Sequence, residues 1–348
     1  MKRDFFCTIF VSCSTKMTSV YIYAMKRMIV LFCPVIMALP GFSQKPSAKT
    51  IQEIKDEANA LYALESANTT SLDLFYDNEF KADAIKGFFS YKDKDSIRTI
   101  FYAQIDTTDP KFKQQPDSVK KLYKEEVDYY AVARSFSYGR SLNKKNAVLS
   151  DVSRKMTDEE KLLMRARLAI FKEFDADTAK YKRYLNTSIS MLPIDYKKYL
   201  KIYLITLPNR PGVVIFGNDY CFEYDKKTLT LTKKEKLHQV YYNVSAGYNG
   251  KKNDPLKYTF HTHKAGDSPF ITATDVCLLM LYKGGVEWEQ HWVYSDKWVS
   301  TYTLYNGNLQ ITDKKTFQKQ TKPKEKDPGD PEQQNENNGD GNGDGGGK

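Results

Sequence analysis

His261 and His263 flank Thr262, and Asp275 follows twelve residues after His263, in Thr272-Ala273-Thr274-Asp275. The whole chain holds four histidines, so two of them one residue apart is a departure from its composition. Imidazole nitrogen is a borderline-soft ligand and a carboxylate oxygen a hard one, and zinc accepts both. Two imidazoles and one acid fill three positions of a tetrahedral ion and leave the fourth for a water that the ion could activate. The metal set expected is therefore His261, His263 and Asp275, with Zn2+ as the ion. The same residues would also serve as polar groups at a loop edge, with Asp275 as an ordinary acid at a helix start.

Such a set requires particular elements around it. Residues i and i+2 of a strand face the same side, so a short strand over Tyr258–Phe260 would aim both histidines at one point. A loop over 264–271, with Gly266 and Pro269, would lead to a helix N-capped by Thr272. Asp275 would bond the cap and meet the positive helix end. The helix runs through Val276–Leu281 and stops at Gly284-Gly285. Strands over Val286–Ser295 and Trp298–Tyr305 follow, and Asn306-Gly307 predicts a two-residue turn into Leu309–Ile311. His291, between Gln290 and Trp292, is expected beside tryptophan, with a role behind the ligands or as a further ligand as the sharper alternative. His238 is expected to be structural.

The rest of the chain reads as α+β, a mixed or antiparallel sheet flanked by helices. Apolar residues at Ile51, Ile54, Ala58, Leu61 and Leu64 predict a helix over 48–66. Aromatic-rich runs at Ala84–Tyr91, Ile97–Ile105 and Tyr129–Tyr138 predict an antiparallel sheet. Thr157-Asp158-Glu159-Glu160 predicts a capping box opening a helix with Leu163, Ala166, Ile170 and Phe174 inside. Strands are expected at Leu200–Leu207 and Gly212–Phe216, and a hairpin around Asp225-Lys226-Lys227.

The ends differ in kind. Met25-Lys26-Arg27, an apolar run from Met28 to Leu39 and small residues after it describe a secretory signal peptide cleaved near Ser43-Gln44. Residues 1–44 are read as presequence with its core at 25–44, and the product as secreted or periplasmic. The run is shorter than the roughly 20 residues a membrane-spanning helix needs, so no transmembrane segment is expected in the mature chain. The tail, 321–348, holds seven acids, four lysines and no large apolar residue; it cannot bury enough surface to order itself. The net charge of +10 therefore falls on the folded part. It is spread as lysine pairs such as Lys144-Lys145 and Lys233-Lys234, which fits a solvated surface; no nucleic-acid partner is expected, and an unknown protein or an envelope polymer is. Cys221 and Cys277 lie in apolar contexts and are expected as two buried thiols rather than a disulfide.

His261-Thr262-His263, a short loop and Thr272-x-x-Asp275 resemble the JAMM (JAB1/MPN/Mov34) metalloprotease motif over about residues 205–300. Upstream, Pro208-Asn209-Arg210-Pro211-Gly212-Val213-Val214-Ile215-Phe216-Gly217 is similar to that family's Pro-Asn-Glu-x-x-Gly-x-Leu-x-Gly strand. The resemblance implies a mixed α/β domain over 196–320, after an N-terminal region over 45–195. It further implies one zinc held by His261, His263 and Asp275, a Thr272 hydroxyl beside the oxyanion, and hydrolysis of peptide or isopeptide bonds by a metal-bound water. Three departures stand out. The loop is one residue longer, Thr replaces Ser, and Asn209 or Arg210 stands where the family has a glutamate base. Neither can take a proton at neutral pH, and Glu223 on the next strand is the nearest substitute. A non-catalytic binding or structural protein that keeps the fold is the alternative. From Lys45 onward the remainder resembles exported proteins of Bacteroidota, which implies export and no particular activity.

Overall fold

The computed structural model describes residues 46–247 and 255–321. The presequence and signal peptide lie outside these residues, as does 322–348; Thr321 itself closes a short helix.

Helix α1 (Ala48–Asp77) is N-capped by Ser47, whose hydroxyl accepts from Thr50 N at 3.0 Å. It is longer than its first apolar stripe predicts because its second half finds a different surface. Ala58, Leu61 and Leu64 join the cluster around Val276–Leu279, whereas Ala67 and Phe75 pack with Phe101, Phe136 and Tyr138. Those aromatics belong to the first sheet, β1 (Ile85–Asp93), β2 (Ser96–Gln104), β3 (Tyr130–Tyr138) and β4 (Val148–Ser150), antiparallel in that order, with β5 (Arg154–Lys155) also on β3. Two four-residue helical segments, Pro110–Lys113 and Asp117–Lys120, lie between β2 and β3.

Helix α2 (Asp158–Ala176) starts at the expected capping box of Thr157 and Glu160. It buries Leu163, Ala166, Ile170 and Phe174 against Met191, Ile202, Leu204 and Phe222. These last residues sit on the second sheet, formed by β6 (Thr187–Asp195), β7 (Tyr199–Pro208), β9 (Tyr220–Asp225) and β10 (Leu231–Lys236) in the order β10-β9-β7-β6, all antiparallel. Strand β6 is an element the sequence reading lacks. Its Ser-Ile-Ser-Met-Leu-Pro run carries a proline, which lowers a strand expectation. The 195/196 boundary falls in the turn of the β6–β7 hairpin.

Strand β8 (Val213–Phe216) pairs with β11 (Tyr242–Ser245) as a two-stranded ribbon. The last sheet is β12 (Tyr258–Thr262), β13 (Gln290–Tyr294), β14 (Trp298–Thr303) and β15 (Asn308–Asp313). Here β12 and β13 are parallel, joined by helix α3 (Ala273–Tyr282), and the other pairs are antiparallel. Helix α4 (Lys314–Thr321) ends the described chain. Two details differ from expectation. Strand β13 begins only at Gln290, because Val286–Glu289 follow the turn that ends α3. The β14–β15 connection takes four residues, since Thr303 pairs with Asn308 and Asn306-Gly307 is only part of the turn. Cys221 and Cys277 are both buried and unpaired, as expected. Burial pushes the Cys221 thiol up to about 12.

No helix among the described residues is long and apolar enough to cross a membrane.

Helix α2 is pinned by a charge. Glu160 is fully buried and accepts from Thr157 N (2.7 Å), Tyr91 Oη (2.9 Å) and both Arg154 Nη atoms (2.6 Å each). Burial opposes its ionisation, but Arg154, the Thr157 amide and Tyr91 outweigh burial and hold its pKa below the usual value. The stabilisation is therefore complete above the unfolded-state pKa of about 4.3 and is lost as pH falls through the lower folded pKa. Glu160→Gln is expected to cost about 3 kcal/mol at pH 7 in urea unfolding. That difference should shrink on acidification below about pH 4; a cost independent of pH would refute the charged role.

Candidate metal centre

The loop at the end of β12 and the first turn of α3 face each other, the usual place for a site in a parallel β-α-β unit. Strand β12 carries through His261, so His261 and His263 share a side, as the alternation predicts. Asp275 arrives from α3 through the expected capping box. Thr272 N donates to Asp275 Oδ2 at 2.8 Å and Asp275 N donates to Thr272 Oγ1 at 3.2 Å. The cap uses Oδ2. The other oxygen, Oδ1, is buried without a hydrogen-bond partner.

A fourth group completes the cluster. His238, in the loop between β10 and β11, brings Nε2 to 2.9 Å from His263 Nε2 and 3.2 Å from Asp275 Oδ1. His261 Nε2 lies 3.2 Å from His263 Nε2 and 3.5 Å from Asp275 Oδ1. All four offered atoms fall within 4.8 Å of one another. A tetrahedral ion with bonds of about 2.0–2.1 Å separates its ligand atoms by about 3.3–3.4 Å. The short edges match that value. The residues are 0% (His238), 1% (His261), 6% (His263) and 0% (Asp275) exposed, so the centre is closed to solvent.

The outer nitrogens fix the tautomers. His263 Nδ1 lies 2.8 Å from the Ser268 carbonyl, which can only accept, so Nδ1 carries the proton and Nε2 the lone pair. His238 Nδ1 lies 2.7 Å from Asp219 Oδ1, with the same consequence. His261 Nδ1 meets His291 Nε2 at 2.8 Å, and His291 Nδ1 meets Thr259 Oγ1 at 2.8 Å. With His291 protonated at Nδ1, His261 too points a lone pair inward. Three lone pairs and a bare carboxylate oxygen then converge with no donor between them. A cation at their centre resolves the conflict, and these four residues could hold a metal ion.

Charge leads to the same end. Asp219 and Asp275 are 2% and 0% exposed, and their ionic partners among the described residues are histidines. Buried carboxylates must be compensated, and one dication would neutralise both. Without an ion, the burden falls on His238. Burial opposes its protonation, but Asp219 and Asp275 outweigh burial and raise its pKa well above the ordinary value. Burial likewise opposes ionisation of Asp275, and the His238 and His261 rings reverse that and hold it well below the carboxylate range. His261 is driven the other way, chiefly by burial, well below its usual value. His291, fully enclosed, is pushed down to about 3 by burial.

Several neighbours position the ligands. Asp267 bridges two loops, accepting from Gln239 N and Lys264 N at 2.7 Å each, and so ties the His238 loop to the His263 loop. Asp219 holds His238 and also accepts from Thr274 Oγ1 in the first turn of α3. Phe216 stacks on His261 and His291 at centroid distances of 4.8 and 4.5 Å and seals that side.

The structure thus brings His261, His263 and Asp275 together and corrects three expectations. The fourth position, expected for water, faces His238 Nε2. Glu223 lies outside the group; it sits on β9 opposite Lys201 and Lys233, where Thr232 Oγ1 approaches it at 3.4 Å. Thr272 is 8% exposed and its hydroxyl is engaged with Asp275 and Thr274, so it caps the helix instead of facing an open coordination site. His291 takes the sharper of its two expected roles, behind a ligand. Trp288 is buried and packs beside it, the tryptophan neighbour expected of His291. Asn209 and Arg210 are exposed in the turn before β8.

No family model, curated protein or solved structure matches this chain.

Two outcomes are expected. Gly217 has φ +89°, and a Cβ there would stand 2.1 Å from Val240 O and 3.2 Å from His238 Cβ. Gly217→Ala should therefore displace the His238 loop and weaken metal retention against a competing chelator by at least about tenfold. Gly284→Ala, which meets nothing within 4 Å, should leave retention unchanged; equal effects would refute the steric argument. Asp219 and Asp275 raise the pKa of His238 in the ion-free form, and a bound ion needs its Nε2 lone pair, so metal uptake should release protons, more of them per site as pH falls. Calorimetry in buffers of different ionisation enthalpy measures this, and zero release would contradict the assignment.

Proposed function

We propose that this is an exported, non-catalytic structural protein whose folded region is stapled by a zinc ion held by His238, His261, His263 and Asp275. One observation carries the reading: a third imidazole faces the position that a catalytic zinc leaves to water. Structural sites use four protein ligands, and catalytic ones keep a place open. An N3O donor set of three neutral imidazoles and one carboxylate in a tetrahedral arrangement suits zinc among common divalent ions, because calcium and magnesium prefer six or more oxygens.

When bound, zinc would supply cross-linking free energy and charge neutralisation. The four ligands come from the β10–β11 loop, the end of β12 and the start of α3. His238 reaches β9 through Asp219, so the ion would join the second sheet to the last one. The resemblance to the JAMM motif fits a relative in which the hydrolytic machinery is absent. The upstream glutamate is missing, Glu223 lies outside the four-residue group, and His238 faces the water position. Hydrolysis of peptide or isopeptide bonds would require His238 to leave the centre, and its pairing with Asp219 opposes that.

Purified protein is expected to carry about one zinc per chain. Its removal should lower the melting temperature by about 10 °C, since a ligand present at a thousand times its Kd contributes about 4 kcal/mol. Glu223→Gln should change neither zinc content nor melting temperature. Unchanged melting after complete metal removal would overturn the staple. Chelator-sensitive peptide hydrolysis that Glu223→Gln abolishes would overturn the non-catalytic reading.

A further inference from the structure

A second polar feature lies away from the metal centre. Glu65, on the inner face of α1, is 5% exposed and forms no ion pair among the described residues. Its Oε2 accepts from Asn68 Nδ2 at 3.0 Å and from Ser190 Oγ. Its Oε1 receives no protein donor, although the residue lines a cleft of about 630 Å³. Burial raises the Glu65 pKa, with the two donors working against that rise. A carboxylate set this deep, with one oxygen unserved, is suited to a ligand that brings its own donor and positive charge.

The same cleft contains a complementary group. Arg140, in the segment after β3, lines it and is exposed, with no ion pair among the described residues. Glu65 and Arg140 thus share one cleft without neutralising each other. The C-terminal turn of α3, with Leu281 and Tyr282, forms another wall; this end of a helix carries partial negative charge and favours a cation. Leu207, Leu281, Tyr62 and Tyr282 supply apolar surface between the charges. The volume is in the usual range for small-ligand sites, roughly 300–1,000 Å³.

We infer that this cleft binds a zwitterion of the amino-acid or short-peptide class, its ammonium on Glu65 Oε1 and its carboxylate on the Arg140 guanidinium. A free amino acid and a di- or tripeptide share that chemistry and differ in the distance between charges, so length decides between them. Nothing in this assignment depends on the metal.

The test is calorimetric titration of the full chain with L-leucine, L-alanyl-L-leucine and tri-L-alanine, each free, N-acetylated and as the C-terminal amide. The free form of at least one length should bind, and each blocked form of it should bind at least about tenfold more weakly, as expected for losing one charged contact. Glu65→Gln keeps the side chain's size and an acceptor for Asn68 and Ser190. It should weaken the free ligand at least about tenfold and leave the N-acetylated form unaffected, while Arg140→Ala does the same relative to the amide. Both variants should keep wild-type metal content, which separates this outcome from any failure of the staple. The inference is overturned if no free probe gives saturable heat up to about 10 mM. It is also overturned if blocked and free forms bind alike, or if Arg140→Ala changes nothing.

Discussion

Two buried carboxylates, which no lysine or arginine among the described residues reaches, set the terms for the centre of this protein. Asp219 and Asp275 are among its least exposed side chains, and histidines are their ionic partners. A pair of uncompensated charges at that depth would cost several kcal/mol each. The histidines cannot all be protonated to meet the need, because their outer nitrogens already donate and the inner nitrogens of His238 and His261 lie 2.9 and 3.2 Å from that of His263. A single dication would satisfy the carboxylates, the three lone pairs and the orphaned Asp275 oxygen together. The architecture around it follows from holding those groups in place.

That architecture draws on distant parts of the chain. Helix α3 presents Asp275 because the capping box turns its carboxylate inward, leaving one oxygen for the backbone and one for the centre. Strand β12 presents His261 and, just beyond its end, His263, each braced from behind by His291 or the Ser268 carbonyl. The β10–β11 loop presents His238, held on one side by Asp219 and kept close to the backbone of Gly217, where only glycine fits. Helix α1 covers the far side of α3 with Ala58, Leu61 and Leu64, so the element carrying Asp275 is fixed from both faces. Such bracing of metal ligands by an outer layer of hydrogen bonds tunes both their orientation and their basicity.

Much of this could be read from the residues. The capping box at Thr272 and the alternation of His261 and His263 rest on local rules, and local rules place neighbours correctly. The helix starts at Thr157 and Thr272 and the antiparallel first sheet were legible for the same reason. His238 was not, because it stands alone in a loop, 25 residues from His263, and no spacing rule links it to the others. One signal did exist. The chain has four histidines, and all four meet in one place, so their scarcity pointed to a common purpose more strongly than any pair did. What Glu223 meets on β9 was not legible either, because strand order is a tertiary property. Strand β6 was hidden by its proline.

Closure of the centre separates a staple from a catalyst, since the same two histidines and aspartate would serve either, and the identity of the fourth neighbour decides. X-ray absorption at the zinc edge, on the zinc-loaded protein in solution, addresses that neighbour directly. The account predicts four nitrogen or oxygen scatterers at about 2.0–2.1 Å, with the multiple-scattering signature of three imidazoles, unchanged when the solvent carries a competing anion such as azide. Two imidazoles and an exchangeable oxygen ligand would contradict it.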